Sequence, residues 1–168
     1  MNVNGLVPEG EAEGASVQAQ AKLCQRILVV DEDSDIRLLY ANALAQPGCR
    51  VDAVADGAAG WEALRANNYN LLITEHCLPT LTGVELVRRL RAARMDVPVV
   101  MTAVRLPAQE LVRDPVLRLA AVLPKPFYIS QLVETVKAVL CATDRPRESV
   151  QPLPDWRNWP SIATLRLR

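Results

Sequence analysis

Hydrophobic and polar positions come in short blocks along this chain, and the blocks change period. Ile27 to Val30 is a continuous apolar run of the kind that suits a strand buried on both faces. It stops at the polar stretch Asp31-Glu32-Asp33-Ser34-Asp35. Ile36, Leu39, Tyr40, Ala43 and Leu44 then recur at helical spacing, and Pro47-Gly48 ends that helix. Val51 to Ala55 predicts a second strand. Asp56 can cap a helix over 57–66, which Asn67-Asn68 closes. Asn70 to Thr74 predicts a third strand running into Glu75. Thr82 and Glu85 have capping-box spacing, so a helix starts at Gly83 and buries Val84, Leu86, Val87 and Leu90. Val97 to Met101 predicts a fourth strand, followed by Thr102-Ala103. Pro107 suits the first turn of the next helix, which Pro115 should kink or cut. Ala120 to Leu123 predicts a fifth strand, and the last helix turns Leu132, Val133, Val136, Val139 and Leu140 to one side.

Five strands alternating with five helices predict a parallel sheet covered on both faces, because each crossover is right-handed. Ligands in such sheets sit beyond the carboxyl ends of the strands. Those ends carry Asp31, Glu32 and Asp33 after strand one, Glu75 after strand three, Thr102 after strand four and Lys125 after strand five. Taken singly, each has an ordinary reading. Acids after a strand are often solvated or cap a helix, a Lys-Pro is usually surface, and a threonine there is usually a turn residue. Together at successive strand ends they point to chemistry. Crowded carboxylates repel unless a cation joins them, and hard oxygen donors suit magnesium. A hydroxyl and a lysine opposite can hold phosphoryl oxygens. The expected chemistry is metal-assisted phosphoryl transfer.

Composition narrows the setting. The 168 residues carry equal numbers of basic and acidic groups, and half are hydrophobic. That fits a globular domain and gives no basic block for nucleic acid. The four cysteines are widely spaced with no CxxC pair, and there is a single histidine, so zinc and His-rich metal sites are not expected. No signal-peptide pattern or membrane-length apolar run occurs, which makes the cytoplasm the default location.

The stretches ILVVDEDSDIR (27–37), VADGAAGWEAL (54–64), NLLITEHCLPTLTGVEL (70–86), PVVMTA (98–103) and LPKPF (123–127) resemble the receiver domain of a bacterial two-component response regulator. The resemblance spans about residues 24–141. It implies a flavodoxin-like (βα)5 fold, a doubly wound five-stranded parallel sheet of order 2-1-3-4-5. It makes Asp31 and Glu32 the acidic pair that binds magnesium and Cys77 the residue whose backbone carbonyl is a further metal ligand. Thr102 becomes the switch hydroxyl and Lys125 the lysine that contacts the phosphoryl group. Lys125-Pro126 falls on a bond that is typically cis in the family. Glu75 falls on the aspartate that accepts the phosphoryl group from a histidine kinase. The implied partners are a histidine kinase or phosphotransfer protein, or a downstream effector. The implied role is signalling, not enzymatic turnover.

The sequence departs from that pattern at the acceptor. Glutamate is one methylene longer than aspartate, which moves the carboxylate by about 1.3–1.5 Å. In-line attack tolerates only a fraction of that shift. The longer side chain reaches toward the phosphoryl space, where it can meet Lys125 and also Thr102. With Glu75 added to the metal donors, two readings stay open: a pseudo-receiver whose Glu75 partly imitates the phosphorylated state, and a receiver that keeps some acceptor chemistry. Val122 stands where many receivers carry a switch aromatic, and Pro115 falls in the fourth helix of the usual output face. His76 should point away from Glu75 by strand alternation, and Trp61 reads as packing. Asp33 and Asp35 read as capping and solvated charges. A haloacid-dehalogenase-type phosphatase shares Asp31-x-Asp33, Thr102 and Lys125 but needs a later acidic pair that is missing. A flavodoxin's phosphate loop would be hydroxyl-rich, not acidic.

Residues 1–22 are rich in Gly, Glu, Ala and Gln with few large apolar groups, and are expected to be a mobile leader. Residues 142–168 are rich in proline and charge, too short for a DNA-binding output domain with its own core. They still carry Trp156, Trp159, Ile162, Leu165 and Leu167, which suit docking on the domain or on a partner as well as a free tail.

Overall fold

The computed structural model describes residues 25–45, 49–104 and 114–143. The leader, most of the C-terminal tail, Pro47-Gly48 and Pro107 with the helix expected there lie outside them. Five parallel strands, β1 (Gln25–Val30), β2 (Cys49–Val54), β3 (Leu71–Glu75), β4 (Val99–Ala103) and β5 (Ala121–Pro124), form one sheet in the order 2-1-3-4-5. The described helices are α1 (Ser34–Leu44), α2 (Gly57–Ala66), α3 (Gly83–Ala92) and α4 (Ile129–Thr143). This is the flavodoxin-like arrangement expected from the alternating pattern. The fourth and fifth strands begin one or two residues later than expected, so Thr102 lies inside β4 instead of after it.

Strand alternation divides the buried residues between two layers. Leu28, Val30, Leu72, Val99 and Met101 face Leu64 of α2 and Leu86, Val87 and Leu90 of α3. Ile27, Val29, Leu71, Ile73, Val100 and Leu123 face Tyr40 and Leu44 of α1 and Leu132, Val136 and Val139 of α4. Every residue of β3 and β4 is buried, which is why these central strands read as unbroken apolar runs ending in a polar group. Trp61 packs half-buried against the first layer.

Local signals place the helices. Asp33 caps α1 by accepting from the amides of Asp35 and Ile36, and Asp56 caps α2 through Ala58 and Ala59. Thr82 and Glu85 form the expected capping box of α3. Of the helically spaced residues of α1, Tyr40 and Leu44 take the inward face and Leu39 is exposed. Pro115, expected in the fourth helix as a residue that kinks or cuts it, stands in a turn that leads through Leu117 to β5, and residues 105–113 lie outside the described ones.

Arg91 ties the far side together. Its guanidinium donates to the carbonyls of Met95 and Val97 (both 2.9 Å), Leu117 (3.1 Å) and Arg118 (3.3 Å). These carbonyls belong to the connections before β4 and before β5, so one side chain sets where both strands enter the sheet. Arg91→Leu leaves those acceptors without their donor and should lower stability by about 2 kcal/mol, read as a fall in the urea midpoint at unchanged slope.

Candidate functional site

The alternation that builds the second layer also builds the site. Asp31 continues the face of Ile27 and Val29, Glu75 that of Leu71 and Ile73, Thr102 that of Val100, and Lys125 that of Ala121 and Leu123. All four emerge on the α1/α4 side, at the carboxyl edge of adjacent strands. Glu75 and Thr102 are register partners. His76, one step on, has the opposite parity. It is half-buried, and its Nδ1 lies 3.2 Å from the Sγ of the exposed Cys77.

Lys125 joins the two acids. Its Nζ donates to Asp31 Oδ2 at 2.9 Å and lies 3.0 Å from Glu75 Oε1. Asp31 Oδ1 accepts from the amide of Asp33 at 3.0 Å. Asp31 and Glu75 are buried, and Lys125 is mostly covered. The expected reach of Glu75 to Lys125 is therefore met. Its reach to Thr102 is not: the Thr102 hydroxyl is fully buried and has no hydrogen-bond partner among the described residues. The longer side chain bends toward the acidic loop, where a cation waits.

Charge balance explains the titration behaviour. Burial pushes the Glu75 carboxyl up, the neighbouring Asp31 carboxylate adds to that, and Lys125 only partly opposes them. Burial pulls the Lys125 ammonium down, but the hydrogen bonds and charges of Asp31 and Glu75 outweigh it and hold it above its ordinary value. The two directions agree once two acids are seen to share one cation. Tyr40 on α1 is held well above the phenol range by burial, then by Asp31 and Glu75.

Two contributors escaped the sequence reading. Arg37 donates from one terminal nitrogen to the carbonyls of Asp31 (2.8 Å) and Glu32 (2.9 Å), fixing the acidic loop from the second turn of α1. Tyr40, which the sequence marks only as one of the helically spaced residues of α1, feels both site carboxylates. A basic residue in the first turns of the helix after an acidic loop was the available signal for Arg37. Gly83 also matters here. A Cβ on it would overlap the carbonyl oxygen of Glu75, so the start of α3 can lie against the acceptor-position backbone only as glycine. Lys125-Pro126 is cis, as the resemblance implied.

Among the described residues, no three His, Cys, Asp or Glu side chains are grouped to hold a metal ion. Of the expected donors, Asp31 and Glu75 each direct an oxygen at Lys125, and Glu32 is exposed. Magnesium asks for a near-octahedral shell at about 2.0–2.1 Å and keeps several waters. As arranged, the carboxylates turn toward an ammonium and do not fit that shell.

The family model for the response regulator receiver domain matches residues 27–137. The response regulator receiver protein CpdR of Brucella abortus is 32% identical over 123 residues, covering 70% of this chain and 98% of that protein. The transcriptional regulatory protein PrrA of Mycobacterium tuberculosis is 37% identical over 119 residues, covering 68% of this chain and 49% of that protein. The chain thus spans about half the length of PrrA and of the similar MprA, but nearly all of CpdR. Among solved structures, the non-phosphorylated HemR receiver domain from Leptospira biflexa aligns with a TM-score of 0.66 at 26% identity, over 73% of this chain and 98% of that one.

The shared cation sets a pH dependence. The Lys125 contribution is fully present below its ordinary value near 10.5 and is lost as pH rises through the higher folded value. The raised Glu75 carboxyl has the same sign at lower pH: the stability it contributes is present below its ordinary 4.5 and is lost as pH rises through the raised folded value. Lys125→Met should therefore cost about 2 kcal/mol at pH 7, less than for a fully enclosed pair, with the deficit shrinking as the raised Glu75 carboxyl takes up its proton in acid. Glu75→Gln should match or exceed the parent in stability at pH 7. Denaturant unfolding across pH reads both.

Proposed function

Since the chain belongs to the response regulator receiver domain family, we propose that it is a two-component signalling receiver whose Glu75 is not phosphorylated. It acts as a pseudo-receiver, through its protein-binding surfaces. The observation that carries this reading is the engagement of the Glu75 carboxylate by Lys125 at 3.0 Å, beside the bond from Lys125 to Asp31. A nucleophile needs its oxygen free and aligned with the incoming phosphorus. Here that oxygen faces the cation that would otherwise receive the phosphoryl group.

Glu75 is also a poor imitation of a phosphoryl group. It brings one negative charge where a phosphoryl group brings nearly two, and it leaves the Thr102 hydroxyl unpartnered. The proposed resting role of the cluster is a latch, with Lys125 and Asp31 holding Glu75 and Thr102 disengaged. Val122, buried where many receivers have a mobile aromatic, gives no large ring to move. The proposed partners are a histidine kinase or phosphotransfer protein, or an effector, bound in the cytoplasm by the module over 24–141. Among the described residues, no helix is long and apolar enough to cross a membrane.

A second reading keeps phosphoryl transfer from a histidine kinase, with magnesium and Glu75 as acceptor. The free, buried Thr102 hydroxyl favours it, because such a group suits an oxygen-rich ligand. The two readings part on treatment with acetyl phosphate, or beryllofluoride, in the presence of magnesium. Intact mass and fluorine NMR should show no adduct on the parent protein, and Glu75→Asp should gain one. A stable adduct on the parent that disappears in Glu75→Ala would sink the pseudo-receiver.

A further inference from the structure

The acidic edge is served by two cations that belong to the chain itself. Lys125 bridges the side chains of Asp31 and Glu75, and Arg37 donates to the backbone carbonyls of Asp31 and Glu32. Asp31 Oδ2 and Glu75 Oε1, two carboxylate oxygens that a divalent ion would use here, already have a positive partner in Lys125. The extra methylene of Glu75 carries the carboxylate to the ammonium, which then lies within hydrogen-bond distance of both acids. Thr102, the neighbour that would welcome a ligand oxygen, is left aside.

We propose that Lys125 is the built-in counter-ion of this site, taking the place of magnesium between Asp31 and Glu75 and closing the site to divalent cations. For magnesium to enter, the ammonium would have to leave both carboxylates at once, or two like charges would share one small pocket. Arg37 opposes the newcomer from the loop side. The inference rests on the reading that Glu75 is not an acceptor, and extends it: the module holds its surface without a metal as well as without a phosphoryl group. Its binding to partners is then insensitive to magnesium supply. Lys125 is a positioning residue here, since it orders two carboxylates and touches no substrate.

The test titrates Mg2+, with Mn2+ as its paramagnetic probe, into the metal-free full chain. Thermal midpoint and water-proton relaxation are the readouts, and only binding that Asp31→Asn abolishes counts. For the parent, the midpoint should move by less than about 1 °C at ~10 mM Mg2+, with no Asp31-dependent relaxation enhancement. Glu75→Asp draws the carboxylate back from Lys125 while keeping the lysine. It should gain saturable binding in roughly the millimolar range and a midpoint rise of about 3 °C or more. Lys125→Met should gain binding too, and if it does not fold, Glu75→Asp decides alone. A change of packing alone would move the midpoint but not the Mn2+ signal. Asp31-dependent millimolar binding by the parent overturns the proposal, and so does a Glu75→Asp variant that gains none. Metal binding by the parent without a beryllofluoride adduct would remove the counter-ion role and leave the non-acceptor reading standing. An adduct on the parent would remove the non-acceptor reading first.

Discussion

One ammonium group between two buried carboxylates is the interaction on which the carboxyl edge of the sheet depends. Asp31 follows β1, Glu75 ends β3 and Lys125 follows β5, so the pair of contacts at 2.9 and 3.0 Å reaches from β1 to β5 across the sheet. Burying two acids side by side is unfavourable unless a cation answers them. Burial first, and the neighbouring negative charge after it, show in the raised carboxyl of Glu75 and in the raised phenol of Tyr40. The same three groups therefore hold the fold at its functional end and decide what chemistry is open there.

That arrangement is possible because the packing beneath it is regular. Alternation along β1, β3, β4 and β5 carries one face of the sheet, lined by Ile27, Val29, Leu71, Ile73, Val100 and Leu123, straight into Asp31, Glu75, Thr102 and Lys125. The apolar layer against α1 and α4 thus ends in a polar row with its positions already set. Capping fixes the loops around it: Asp33 begins α1 directly after the acidic pair, and Gly83 lets α3 begin against the carbonyl of Glu75.

Much of this was legible in the chain. The apolar runs, the caps at Asp33, Asp56 and Thr82, and the polar residue at each strand end all depend on short-range patterns that survive in one dimension. The shared parity of Asp31, Glu75, Thr102 and Lys125 was also there to be counted, once each strand was in register. Other features were not legible. The exposure of Leu39 turns on which residues of α1 reach the sheet, and helical spacing alone admits both choices. The turn at Pro115 is closed by Asp114, which accepts from the amides of Val116 and Leu117, and Arg91 reaches the Leu117 carbonyl from another element. Arg37 looks like any surface arginine until the acidic loop folds over it.

By itself, then, the sequence determined the strand and helix order, the receiver resemblance and the substitution of glutamate at the acceptor position. Those are properties of residue type and local spacing. Tertiary structure decided where that glutamate points. From the chain alone it could reach both Lys125 and Thr102, which are separated from it by fifty and twenty-seven residues. Folding brings both beside it, and the charge on Lys125, already shared with Asp31, draws the carboxylate away from the neutral hydroxyl. A contest between two distant neighbours for one side chain is settled by geometry and charge in the assembled site, and no local pattern records its result.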